Sequence, residues 1–242
     1  MLLYIIRHGD PTYNEHDELT PRGTLQAAAL AKRLARYGVD RIYSSPLNRA
    51  CVTAQPTCEL LNKKLEILDW ANEDLYWNEL AYVYEPGEAE WCFRTQEGFA
   101  ELRSPEVEKL GKDWYKADYF KRIGINPLPA CQRLRAASDA FLAEHGYEHD
   151  PDVARYKILK PSNERIAVFC HHGFGLTWLG ALLDIPHPIA WTSLDISHSD
   201  LTVIDFGNSP TGYTNPMILT LSNDSHLFAE GLPTLYQNKI YL

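Results

Sequence analysis

The chain has 242 residues, enough for one large domain or for one domain with a sizeable insertion. Its formal net charge of −9 argues against nucleic acid as a main partner, because a phosphate backbone demands a basic face and no Lys/Arg run is long enough to make one. No apolar run is long enough for a bilayer span or a signal-peptide core, and Cys51, Cys58, Cys92, Cys131 and Cys170 lack the paired spacings of a disulfide framework or zinc site, so a cytoplasmic protein with reduced, packing thiols and no membrane association is expected.

The first predicted element is the apolar run 2–6, a strand buried on both faces, which ends abruptly in Arg7, His8 and Gly9. "LTPRGTLQAAALAKRLARYG" then reads as a helix, started by Thr20-Pro21, with Leu25, Ala28, Ala29 and Leu34 at helical spacing and Gly38 as its stop. "RIYSS" (41–45) is a short strand, Pro46 opens a helix through about Leu61, and "LEILDW" (65–70) is a third strand. This alternation implies a mostly parallel sheet with right-handed connections.

Over 74–163 the alternation is lost and aromatic residues crowd the chain, among them Trp77, Trp91, Phe93, Phe99 and Trp114. The segment reads as a helical insertion, closed by a long amphipathic helix at 127–146 and a polar surface loop at 147–164. Alternation resumes with "RIAVFCHHGFGLTWLGALLDIP", a buried strand running into a helix, and the strands 201–206 and 217–224 bring the total to about six. The expected architecture is a three-layer α/β/α sandwich forming a single domain over 1–242, with a helical cap inserted at about 74–130.

Two strands 164 positions apart both end in His-Gly, at His8-Gly9 and His172-Gly173. Open α/β sheets place ligands beyond the carboxyl ends of their strands, so the two imidazoles are expected across one crevice. Because strand side chains alternate, only one of His171 and His172 should point inward; His172 is taken, with His171 supporting or facing outward. Arg49 falls in the first turn of the helix after Ser44-Ser45, where free N–H groups and the helix dipole already favour an anion. Asn14, in a loop six residues after His8, is placed to donate one more hydrogen bond.

Three other chemistries fail at particular residues. In a dinucleotide fingerprint at Gly173-Phe174-Gly175 the third glycine position holds Trp178. A cysteine phosphatase built on Cys170 would need an arginine where Leu176 stands. A metal held by His8, His171 and His172 would be repelled by Arg7.

"RHGDPTYN", "LTPRGTLQA", "SSPLNRACVTA" and "CHHGFG", in this order, resemble the histidine phosphatase superfamily, which includes the cofactor-dependent phosphoglycerate mutases; the resemblance covers about 1–73 and 165–224. It implies that His8 is a nucleophile that becomes phosphorylated, that Arg7, Arg49 and His172, with the adjacent Gly173, bind the phosphoryl group, and that Asn14 assists. It also implies an acidic proton donor after the third strand. Among Asp69, Glu73 and Asp74 the fit is best for Glu73, with Asp69 as fallback. Two departures are Asp10-Pro11, where the family commonly has glutamate after Arg-His-Gly, and His171, where a small residue is usual.

Elementary chemistry agrees, since a neutral imidazole is a competent nucleophile and two guanidiniums with a second imidazole offset the charge of a transferring phosphoryl group without metal or cofactor. The expected activity is hydrolysis of a small phosphomonoester; mutase-type transfer and non-catalytic phosphate binding are the alternatives. The mutases carry a tryptophan-containing segment between Arg-His-Gly and Leu-Ser/Thr, and here only "GDPTYNEHDE" fills that interval, which favours the phosphatase.

Overall fold

In the computed structural model, which describes residues 1–13 and 16–234, the chain begins with β1 (Leu2–Arg7), α1 (Pro21–Tyr37), β2 (Arg41–Ser44), α2 (Asn48–Leu61) and β3 (Leu65–Ile67). Thr20 caps α1 by accepting the Gly23 N–H at 3.0 Å, and Gly38, at φ 78°, ends it. The insertion contributes α3 (Asp74–Leu80), β4 (Ala81–Glu85), β5 (Glu88–Trp91), α4 (Gln96–Glu101), α5 (Pro105–Leu110), α6 (Asp118–Ile123) and the start of α7 (Leu128–Glu144). The chain continues through β6 (Tyr147–Asp150), β7 (Arg155–Ile158), β8 (Arg165–Cys170), α8 (His172–Leu182), α9 (His187–Ser193), β9 (Leu201–Asp205), β10 (Tyr213–Thr214), β11 (Met217–Asn223) and α10 (Ser225–Ala229).

The six strands read from the sequence form one sheet in the order β11-β9-β1-β8-β2-β3. The contacts β1·β8, β8·β2 and β2·β3 are parallel, and β9 runs against both its neighbours. Alternate residues of β1 enter different cores: Leu3 and Ile5 join Ile166, Val168 and Trp178 on one face, Tyr4 and Ile6 join Leu30, Leu34 and Phe169 on the other. That division makes the three layers. Each fully buried side chain of this size contributes on the order of 1.5–3 kcal/mol.

Register brings the functional ends together. Arg7 pairs with Cys170, the His8 N–H donates to the Cys170 carbonyl at 3.0 Å, and the Ser45 N–H donates to the Phe169 carbonyl at 2.9 Å. Three motifs distant in sequence therefore share one sheet edge.

Three expectations need correction. The segment 147–164 contains β6 and β7, which pair with β10 as a separate three-stranded sheet and turn Tyr147 and Tyr156 inward. The insertion is not wholly helical, because β4 and β5 form a hairpin whose turn carries Gly87 at φ 86°. The third strand stops at Ile67, and a 3₁₀ turn, Asp69–Ala71, leads toward Glu73. The insertion's rings belong to the main core: Tyr76, Phe93, Trp114 and Phe120 are in the same cluster as Phe174, Trp178 and Trp191. Among the described residues no helix is long and apolar enough to cross a membrane.

Candidate active site

His8 lies at the end of β1, 1% exposed. Its Nδ1 is 2.7 Å from the Gly9 carbonyl, which only accepts, so Nδ1 carries the proton and Nε2 the lone pair. Nε2 accepts from Arg49 Nε at 3.2 Å. Burial, followed by the neighbouring His171, Arg7 and Arg49, pushes the His8 pKa well below 6.5 and keeps the ring neutral. The glycines of the first two motifs pack backbone against backbone: a Cβ on Gly9 would meet the Gly23 carbonyl oxygen at 2.8 Å, and one on Gly23 the Asp10 oxygen at 2.2 Å.

Arg7 is held from behind, its Nη1 donating to the Ile196 carbonyl at 2.8 Å, its Nη2 2.7 Å from His198 Nε2, and its backbone N–H donating to Asp200 at 3.3 Å. Arg49, in the first turn of α2, donates Nη1 to Asp17 at 2.6 Å and Nη2 to Glu73 Oε2 at 3.2 Å. Glu73 Oε1 in turn accepts from the N–H groups of Gly173 (2.9 Å) and Phe174 (3.4 Å), at the N-terminus of α8. Burial raises the Glu73 pKa despite the opposing pull of Arg49 and Arg7. A carboxyl so placed is suited to carry a proton. Asp69, the fallback donor, is exposed in its 3₁₀ turn.

His172 opens α8, with Nε2 2.7 Å from Asp195 Oδ1. Burial lowers its pKa to about 4 against the raising effect of the Asp195 hydrogen bond, so near neutral pH the ring is uncharged and Nε2–H donates to the carboxylate. The alternation argument about His171 fails because β8 stops at Cys170 and the chain turns at once into the helix. His171 does not face outward: it is wholly buried, its Nε2 is 2.7 Å from Ser45 Oγ, its ring centroid is 5.2 Å from that of His8, and its Nδ1 is 3.8 Å from Glu73 Oε2.

The structure thus brings together Arg7, His8, Arg49, Glu73, His172 and Gly173, whereas Asn14 lies outside the described residues. Sequence reasoning missed Asp17, Arg94, Asp195, His198 and Asp200. Four of these sit in irregular connections, and Asp200 immediately precedes β9; none lies in a motif or follows a period. Beside the cluster is a cleft of about 890 Å³, lined by Arg7, Arg49, Glu73 and His172 and by Trp77, Trp91, Arg94 and Phe99 of the insertion. Among the described residues no group of three or more His, Cys, Asp or Glu side chains is arranged to hold a metal ion.

The model of the histidine phosphatase superfamily (branch 1) matches residues 3–213. The chain belongs to this superfamily. Among curated members, "Putative phosphoserine phosphatase 2" of Hydrogenobacter thermophilus is 38% identical over 73 residues, a match that spans 27% of this chain and 36% of that protein. "Probable phosphoglycerate mutase GpmB" of Yersinia pestis (strain Pestoides F) is 28% identical over 158 residues, 60% of this chain and 69% of the relative. The fold is that of the phosphoserine phosphatase of Entamoeba histolytica, solved with 3-phosphoglyceric acid (TM-score 0.58, 22% identity, 93% of this chain and 98% of that one). It is equally that of a mycobacterial glucosyl-3-phosphoglycerate phosphatase solved with inorganic phosphate (TM-score 0.59, 18% identity, 93% and 98%).

Proposed function

We propose that the protein is a phosphatase that hydrolyses small phosphomonoesters through a phosphohistidine on His8. The observation that carries this reading is the His8 tautomer: Nδ1 bound to the Gly9 carbonyl leaves a neutral, nucleophilic Nε2 beside Arg49. Nε2 attacks phosphorus and the ester P–O bond breaks, while Glu73 gives its proton to the departing oxygen. Water then attacks phosphorus and gives a proton to Glu73, the N–P bond breaks, and His8 is restored. Arg7, Arg49 and the first N–H groups of α8, Gly173 among them, offset the charge on the phosphoryl oxygens, His172 turns its Nε2–H from Asp195 to one of them, and Asn14 adds a hydrogen bond. These groups supply the neutralisation that a metal ion gives in other phosphoryl-transfer enzymes.

The segment 74–130 serves as a cap on this single domain, its aromatic residues forming one wall of the cleft. Acid-labile, base-stable phosphoenzyme trapped by quenching, absent from His8→Ala, is the expected result, with turnover surviving exhaustive chelation. Turnover that persisted at a near-normal rate without His8, or that needed a divalent metal, would refute the mechanism. Incubation with 3-phosphoglycerate and a bisphosphoglycerate primer separates the mutase alternative: hydrolysis should release inorganic phosphate faster than 2-phosphoglycerate forms.

A further inference from the structure

Arg94 is a third guanidinium in the cleft, and the reaction proposed above does not use it. It comes from the insertion, just beyond β5. Among the described residues its hydrogen bonds all fall on Nη2, which donates to Asp195 Oδ1 at 3.0 Å and to the Leu194 carbonyl at 3.3 Å and lies 3.1 Å from His172 Nε2. Its Nε is buried with no hydrogen-bond partner among the described residues. Arg49, by contrast, is already bound by the carboxyl groups of Asp17 and Glu73.

Asp195 does not serve Arg94 alone, because the same oxygen accepts from His172 Nε2 (2.7 Å) and from the Ile196 N–H (3.0 Å). Burial lowers the Arg94 pKa, Asp195 and Glu90 raise it, and Arg7 lowers it again, which leaves a cation short of negative charge. A further anion in the cleft would relieve that shortage. Asp74 and Glu90 also line the cleft and would repel a second phosphate more strongly than a singly charged group.

We infer that Arg94 binds a carboxylate on the leaving group, so that the enzyme selects phosphorylated short hydroxy acids over monoesters of uncharged alcohols. The carboxylate must sit close to the scissile ester, since Arg94 reaches to within 3.1 Å of the imidazole proposed to contact the phosphoryl group. This assignment rests on the phosphatase reading and goes beyond it by naming the recognition residue and the substrate class.

The test compares 3-phosphoglycerate with glycerol 3-phosphate, which differ by a carboxylate in place of a hydroxymethyl group, in the wild type, Arg94→Gln and Arg94→Lys. The wild type should prefer 3-phosphoglycerate. Arg94→Gln should lose roughly 10- to 100-fold in kcat/KM on that substrate, the worth of one charge-assisted hydrogen bond, and keep its activity on glycerol 3-phosphate. Arg94→Lys should recover part of the loss, and it carries the comparison if the Gln variant does not fold. Equal losses on both substrates would show that Arg94 serves the phosphoryl group or positions His172, and an unchanged ratio would show that it meets no substrate carboxylate; either overturns the assignment and leaves the phosphatase reading standing. A wild-type protein that hydrolysed neither ester and formed no phosphoenzyme would bring down both.

Discussion

The strand ends of the central sheet and the insertion contribute to one cleft in different ways. At the strand ends each group is fixed by the backbone: parallel register sets His8 beside Cys170, and Arg7 is gripped by the loop before β9. The insertion instead presents side chains from a short helix, a hairpin and a turn, and Phe99 remains 46% exposed. Rigid strand ends suit the chemistry, which needs reacting atoms held to fractions of an ångström, whereas the insertion suits discrimination between leaving groups.

His8→Ala breaks the first half of this comparison most severely: turnover of an aryl phosphate should fall on the order of 10⁴-fold or more. Next is Glu73→Gln, for which hydrolysis of alkyl phosphates should slow roughly 10²- to 10⁴-fold and that of aryl phosphates with good leaving groups far less. Because the Glu73 pKa is raised and the acid form is the active one, wild-type kcat on alkyl phosphates should decline as pH rises through that pKa. The alkaline limb should vanish in the Gln variant. Asp69→Asn should change neither measurement, and a larger selective loss there would move the acid to Asp69.

Gly173→Ala probes the seam between the two regions. A Cβ there would meet Trp91 Cζ2 at 2.2 Å, so the ring must shift, at an expected cost of about 1–3 kcal/mol in denaturant unfolding. Tryptophan emission should change with it, because Trp91 stands edge-on to Trp77 at 4.9 Å and stacks on Phe93 at 5.3 Å. Unaltered emission and stability would mean that the insertion does not press on the helix end.

A separate, pH-dependent effect concerns Asp200, buried behind Arg7, where desolvation raises the carboxyl to about 7 from 3.8. A raised acid pKa means that the folded state holds its proton longer than the unfolded chain, so wild-type stability should decline between about pH 4 and 7 on this account. Asp200→Asn should remove that part of the slope in urea midpoints measured across the interval, and an identical slope in both proteins would contradict it.

Strands β1, β2 and β8 were legible because buried parallel strands leave short apolar runs, and Arg7, His8 and His172 were legible because they follow those runs directly. The hairpin of β4 and β5 was obscured by aromatic density, although Pro86-Gly87 is a turn signal at its tip. β6 and β7, the first at the edge and the second at the centre of their small sheet, were missed because "YEHD" and "RYKI" are short and polar, with few apolar residues to set a period. Asp195 and His198 were hidden for another reason: their side chains are carried by an irregular loop, which leaves no pattern in the sequence. His171 shows the limit of periodicity, since an alternation rule cannot be carried one residue past the end of a strand.

The contacts of Glu73 have a kinetic meaning. Its carboxyl occupies the Gly173 and Phe174 N–H groups and one arm of Arg49, the donors that the proposed reaction needs for phosphoryl oxygens. One set of donors cannot serve both. In the proposed reaction an incoming phosphoester would evict the acid from the helix end as it docks, and the evicted acid would be free to swing toward the departing oxygen. Binding and proton delivery would then be interlocked, and inorganic phosphate, which competes for the same donors, should act as a product inhibitor.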